Sequence, residues 1–316
     1  MGTEMATPSN AVLTDGELLN DMRSLKKWSL AGVILLAAAF PIAFALLAIF
    51  SVNDMIGIGF ASGLGELVLA LAIGLYAHKR SVKLKVTLGN ALTLPVIKEI
   101  FEVKDYRPLG HISREIIGSA GLIDRWETIS GSDYIEGSYN GVSILYSDLL
   151  LQHTETETNS DGEEEERTVT DFKGQWLVCD FNKELAATIR LIERKGGTKW
   201  QRKYDVSKSD IETENIAFNK KFRIVTGDGH TAFYLLTPHF MEQLVAADEA
   251  ADSSTLFCFK DGKVHIALYN GRDSFELKGV KLDSVDSVRQ KFRRELKYMT
   301  DIMDELLRND RLFKQV

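Results

Sequence analysis

Two nearly uncharged stretches constrain this chain more than any other feature. From Trp28 to Phe50 it reads WSLAGVILLAAAFPIAFALLAIF, 23 residues without a charge, and from Met55 to Ala77 it reads MIGIGFASGLGELVLALAIGLYA, 23 residues with Glu66 as the one charge. At ~1.5 Å of rise per residue each makes a helix of about 34 Å, enough for a hydrocarbon layer of about 30 Å. Only Ser51-Val52-Asn53-Asp54 separates them. The expectation is a two-helix transmembrane hairpin over 28–77, with Pro41 as a tolerated kink. A cleaved leader is disfavoured, because the first run is too long for one and a second follows almost at once.

Arg23, Lys26 and Lys27 precede the first run, and Lys79, Arg80, Lys83 and Lys85 follow the second, whereas the connection has no Lys or Arg. Positive residues stay on the cytoplasmic side. The expected organisation is therefore a cytoplasmic tail at 1–27, spans at 28–50 and 55–77, and a cytoplasmic domain at 78–316, with both termini cytoplasmic. Gly59 and Gly63, and likewise Ala61 and Gly65, are small residues four apart, a spacing that lets helices pack closely. Glu66 falls mid-span, where an ionised side chain costs about 3 kcal/mol. It is expected to be neutral, paired or turned into a helix interface, with a proton or partner role as the alternative.

The net charge of −7 has a local origin. Residues 154–168, TETETNSDGEEEERT, hold seven acids and one Arg, and without them residues 81–316 are balanced. This segment has no apolar side chain to bury and is expected to be a solvated acidic loop. Around it the pattern is β. Asn140-Gly141 is a hairpin turn signal between DYIEGSY and VSILYSDLLLQH. FKGQWLVCDF and ATIRLIER extend this to a meander of about four strands, and LFCFK, KVHIALY and RDSFEL make a second one, turned at Asp261-Gly262 and Asn270-Gly271. Helical spacing marks Leu94–Val103, Ile112–Ala120 and a start at Thr237-Pro238. From Ser284 to about Asn309, apolar residues recur at three and four positions, giving a long C-terminal amphipathic helix. The fold class is α+β, antiparallel meanders with flanking helices, behind the hairpin.

Signatures of chemistry are few. The chain has no G-x-x-x-x-G-K-[ST] loop, no G-x-G-x-x-G, no G-x-S-x-G and no H-E-x-x-H. The six histidines are scattered, and Cys179 and Cys258 lie on separate expected strands. No metal-ligand spacing is visible, so no catalytic residue, cofactor or metal is assigned. Nucleic acid is disfavoured, since no basic stripe with stacking aromatics is present. Lys220, Lys221, Arg223 and His230, with His239 nearby, are the candidate anion-binding surface; the structural alternative is solvated charge around an aromatic core of Phe218, Phe222, Phe233, Tyr234 and Phe240.

FKGQWLVCDFNK (172–183), FNKKFRIVTGDGHTAFYLLTPHFMEQL (218–244) and KVHIALYNGRDSFEL, set behind an N-terminal apolar hairpin, resemble the bacterial domain-of-unknown-function family numbered three-one-three-seven, over roughly residues 85–316. The resemblance implies a bacterial membrane-anchored protein, hence a multi-pass inner-membrane location. It carries over no catalytic residue, and it points to a LemA-type helical membrane protein as a candidate partner. The expected function is a membrane-anchored cytoplasmic binding or assembly module. Its expected contacts are the lipid bilayer and a protein partner or second copy, through the hairpin or the C-terminal helix. The alternatives are an enzyme at the cytoplasmic face and an accessory subunit of a transport complex.

Overall fold

The apolar runs and the turn-punctuated body fold as separate units. A computed structural model describes residues 13–52, 56–158, 163–181, 183–194, 211–250, 253–277 and 282–307. The chain divides into one unit of residues 1–93 with 277–289 and another of 94–276 with 290–316.

In the first unit, helix α1 (Asp15–Val52) is followed by α2 (Ile56–Leu88) and a π-helical turn, Gly89–Thr93. Thr14 starts α1 with a reciprocal cap: the Glu17 amide donates to Thr14 Oγ1 at 3.4 Å, and the Thr14 amide donates to Glu17 Oε2 at 2.8 Å. Asp15 and Glu17 also place negative charge at the positive end of the helix dipole. The helices approach closely at Gly63, where a Cβ would stand 3.4 Å from the Ala43 carbonyl oxygen, and Trp28 meets Tyr76 edge-on at 5.5 Å. The charged ends of the pair are amphipathic, burying Leu18, Met22, Leu84 and Leu88. Arg289 reaches Asp15 at 3.5 Å.

Among the described residues, no helix is long and apolar enough to cross a membrane. This corrects the expected transmembrane hairpin, the membrane and multi-pass description, and the inner-membrane location with both termini cytoplasmic. The first run is an interior segment of α1, and the second makes up the N-terminal part of α2 from Ile56 onward. α1 begins at Asp15 and takes in Arg23, Lys26 and Lys27, while α2 carries Glu66 in its first half and runs on through Lys79, Arg80, Lys83 and Lys85. Of the expected connection at 51–54, residues 51 and 52 end α1, and residues 53–55 and the side chains of 50–61 lie outside the described residues.

In the second unit the chain order is α3 (Leu94–Lys98), β1 (Glu102–Arg107), α4 (Arg114–Ala120), β2 (Thr128–Tyr139), β3 (Val142–Thr158), β4 (Glu164–Asp180) and β5 (Ile189–Glu193). Then come α5 (Ile216–Lys221), β6 (Phe222–Thr226), α6 (Gly229–Leu235), α7 (Pro238–Ala250), β7 (Ser254–Lys260), β8 (Lys263–Tyr269) and α8 (Val285–Leu307), the first turn of α8 clustering with the first unit. The strands form one eight-stranded sheet, ordered β1-β2-β3-β4-β8-β7-β5-β6, with antiparallel pairings. The α+β class stands, but the two expected meanders are one sheet, joined where β4 pairs β8 from Gly174↔Tyr269 to Asp180↔Lys263. β5 leaves the first block to pair with β6 and β7. The tight turns follow the Asn-Gly and Asp-Gly signals: Asn140 and Gly141 have φ of 48° and 76°, and Asp261 and Gly262 have 50° and 67°.

Three segments differ from expectation. The acidic segment is a continuation of the β3–β4 ladder, Thr154↔Thr168 to Thr158↔Glu164, with 159–162 outside the described residues. Alternating β-branched Thr154, Thr156 and Thr158 suit a strand even where no core is available. The helix expected over Leu94–Val103 ends at Lys98, and its last two residues, Glu102 and Val103, open β1. RDSFEL is a loop whose backbone is diverted into hydrogen bonds described below.

One sheet face packs Phe172, Trp176, Leu151, Leu256 and Ala267 with Ile117 of α4. Elsewhere Phe259 lies 5.5 Å from Phe181 and 5.8 Å from Phe240, and Phe222 lies 5.4 Å from Phe218. Burying each such ring is worth about 1.5–3 kcal/mol. The α8 stripe, from Val288 and Phe292 to Leu306, is buried in the chain. His265 is buried in the core, its Nδ1 accepting from Trp176 Nε1 at 3.3 Å. Burial, with the nearby Lys263, lowers its pKa to about 4 and keeps it neutral.

Candidate functional site

The residues singled out in the sequence occupy separate places. Glu66 is half-buried on α2, and its Oε2 has no hydrogen-bond partner among the described residues. Gly63 is at the close approach to Ala43, Gly65 faces open space, and Gly59 and Ala61 lie outside the residues whose side chains are described. Lys220, His230 and His239 are exposed, and Arg223 is half-buried on β6. The His230 amide donates to the Asp228 carboxylate, which caps α6. Lys221 is engaged internally, 2.7 Å from Asp248 and 3.4 Å from Glu249. Burial raises the pKa of Asp248 despite Lys221, and burial together with Asp248 raises that of Glu193.

A more organised polar cluster lies on β3, β4 and the loop after β8. Tyr146 and Asp148 are two apart on β3 and therefore share a face; both are buried. Gln175 is the register partner of Asp148 on β4, and its Nε2 donates to Asp148 Oδ1 at 2.8 Å and to the Arg272 carbonyl at 3.1 Å. The Ser274 amide donates to Asp148 Oδ2 at 2.9 Å, and the Ser274 hydroxyl lies 3.2 Å from Oδ1 and 2.8 Å from the Tyr146 hydroxyl. Asn270 donates through Nδ2 to Gln175 Oε1 and accepts the Arg272 amide at 2.9 Å.

These bonds explain why RDSFEL does not continue as a strand. Its backbone turns inward to satisfy Asp148, and Phe275 takes φ of 57°, a left-handed conformation unusual for a bulky residue. Phe275 is held there by its amide donating to Glu295 Oε2 at 2.9 Å and by its ring against Phe292 at 5.3 Å. Gly131 on β2 backs the cluster: a Cβ there would stand 2.1 Å from the Asp148 carbonyl oxygen. Burial, with Asp133 nearby, pushes the Asp148 carboxyl well above the usual carboxylate range.

Above the cluster is a cavity of about 210 Å³ lined by Gln175, Asn270, Arg272, Asp273, Ser274, Glu295 and Met299. Its lining is mainly polar: Gln175 comes from β4, Asn270 to Ser274 from the loop after β8, and Glu295 from α8, with Met299 of α8 as the one apolar residue. Among the described residues no group of three or more His, Cys, Asp or Glu has the arrangement to hold a metal ion. Sequence reasoning missed this site. The available signal was polar Asp148 and Gln175 inside the apolar strand runs ILYSDLLL and QWLVC, since a buried polar residue is more informative than a surface charge.

The chain thus combines an apolar helical pair with an antiparallel α+β body bearing a polar pocket. Residues 170–308 match the family described as "Protein of unknown function (DUF3137)", the family that the motifs resemble. None of the curated proteins matches the chain. A solved structure, the crystal structure of the mycobacterial trehalose monomycolate transport factor A, TtfA, is similar at 9% identity and a TM-score of 0.31, covering 69% of this chain and 96% of that one. A likeness of that degree carries no argument about this chain.

Proposed function

We propose that the protein is a binding and assembly module, in which the helical pair attaches the chain to an apolar surface supplied by another molecule and the α+β body carries the recognition site. The observation that supports this is the exposed apolar surface of the pair. Leu30, Ile34 and Phe44 on α1 and Val68, Leu71 and Leu75 on α2 are each more than half exposed, Phe44 reaching 74%. Helices apolar around their circumference are normally covered on all sides, and large exposed apolar patches mark interaction surfaces.

The test is sedimentation of the full chain with and without detergent, beside a variant carrying Leu30→Gln, Ile34→Gln, Val68→Gln and Leu71→Gln. These positions face outward, so the fold tolerates the changes. The wild type is expected to self-associate in buffer and to disperse when detergent covers the helices, while the variant stays dispersed in both. A wild type that is monodisperse in plain buffer, or a variant that associates as strongly, overturns the proposal.

A further inference from the structure

Charge accounting around the cavity shows which ligand chemistry it suits. Two carboxylates line it, and each already has a lysine: Asp273 lies 3.4 Å from Lys173, and Glu295 lies 3.2 Å from Lys291 while also accepting the Phe275 amide. Asp148 is not among the lining residues, and its carboxyl oxygens accept from Gln175 Nε2 and the Ser274 amide. Arg272 is different. Its backbone is tied down, the amide to Asn270 and the carbonyl to Gln175, yet its guanidinium makes no ion pair or hydrogen bond among the described residues. The cavity therefore carries one uncompensated positive charge, on a side chain whose planar fork matches a carboxylate with two parallel hydrogen bonds.

We propose that this cavity is a binding site for a small carboxylate anion, with Arg272 as the carboxylate-binding residue and Met299 as the wall for the ligand's apolar part. Its volume of about 210 Å³ is that of roughly seven waters, which sets the scale at a short-chain acid. Gln175 and Ser274 are locked by Asp148, so the polar wall is pre-organised and little ordering is needed on binding. The proposal does not depend on the helical pair. Its failure would leave the attachment reading untouched, and the reverse holds too.

The experiment is calorimetric titration of the full chain, dispersed in detergent, with sodium butyrate and in parallel with n-butylammonium chloride. Butyrate is expected to bind saturably at one per chain and butylammonium not to bind. Arg272 is exposed, so Arg272→Gln should keep the wild-type melting temperature while weakening butyrate by about tenfold or more, the loss expected for a charge-assisted pair. Arg272→Lys should fall between, having the charge but not the fork. Absence of saturable butyrate binding, equal binding of butylammonium, or undiminished binding by a folded Arg272→Gln would each overturn the assignment.

Discussion

Replacing Asp148 by Asn tests the organisation of the body, because the carboxyl group is both a hydrogen-bond hub and a buried acid. Its two oxygens accept from different N–H donors, Oδ1 from Gln175 Nε2 at 2.8 Å and Oδ2 from the Ser274 amide at 2.9 Å. An amide has one acceptor oxygen, so Asp148→Asn faces an N–H against an N–H at one of the two. That costs about 1–3 kcal/mol for a buried donor left unpaired. The pH dependence works in the opposite direction. The folded-state pKa of Asp148 is raised, chiefly by burial, so the folded chain keeps a proton that the unfolded chain releases above the usual carboxylate range. Its stabilising contribution is therefore full below the unfolded pKa and is lost as pH rises towards the folded one, at about 1.4 kcal/mol per pH unit. Urea unfolding of both chains across a pH series reads this directly, and other titrating groups cancel in the difference. The wild type should lead at acid pH by about 1–3 kcal/mol, and its lead should shrink and reverse as pH rises. A difference that stays flat, or a lead that widens with pH, refutes the reasoning and makes Asp148 an ionised carboxylate held by its N–H donors.

Two further outcomes follow from the other titrating groups. His265, with its pKa lowered to about 4, contributes stability above its unfolded value of about 6.5 that is lost as pH falls towards 4, about 3 kcal/mol in all; His265→Gln should flatten the acid limb of a denaturation series, and an unchanged limb contradicts the buried neutral imidazole. His153 bonds Asp171 through Nδ1 at 2.7 Å and Glu155 through Nε2 at 2.9 Å, and these bonds raise its pKa. Its contribution is present at low pH and lost as pH rises through the folded value. An NMR titration should place it above the usual histidine value and bring it down in Asp171→Asn, whereas an unperturbed titration in both proteins contradicts the pairing.

Features fixed by local chemistry were legible in the sequence. Asn140-Gly141 and Asp261-Gly262 turn where a left-handed backbone is required, and the three-and-four spacing of Val288, Phe292, Leu296 and Met299 places the start of α8 next to its observed first residue, Val285. Features fixed by long-range pairing were not. Nothing local tells β5 to leave β4 for β6 and β7, and RDSFEL has strand-like composition, yet Ser274 and Phe275 are claimed by Asp148 and Glu295 from distant elements. The site was missed for the same reason: Asp148, Gln175 and Ser274 are far apart in sequence and meet only through the β3–β4 register and the loop after β8. The histidines and lysines weighed instead stand out by residue type, but the chain places them at the surface or, for Lys221, in an internal ion pair.

The attachment claim is tested most directly by thiol accessibility. Both native cysteines are buried, and burial raises each thiol's pKa, that of Cys258 to about 11, so they contribute little background to maleimide labelling near neutral pH. Ile34→Cys and Leu71→Cys place a thiol on α1 and α2 at positions more than half exposed in the isolated chain. Asp261→Cys, at a side chain 81% exposed in the β7–β8 turn, is the control. In the protein's native setting the thiols at positions 34 and 71 should be protected while the control reacts. Labelling of all three at the same rate would show the helical pair bare in water and would contradict the account.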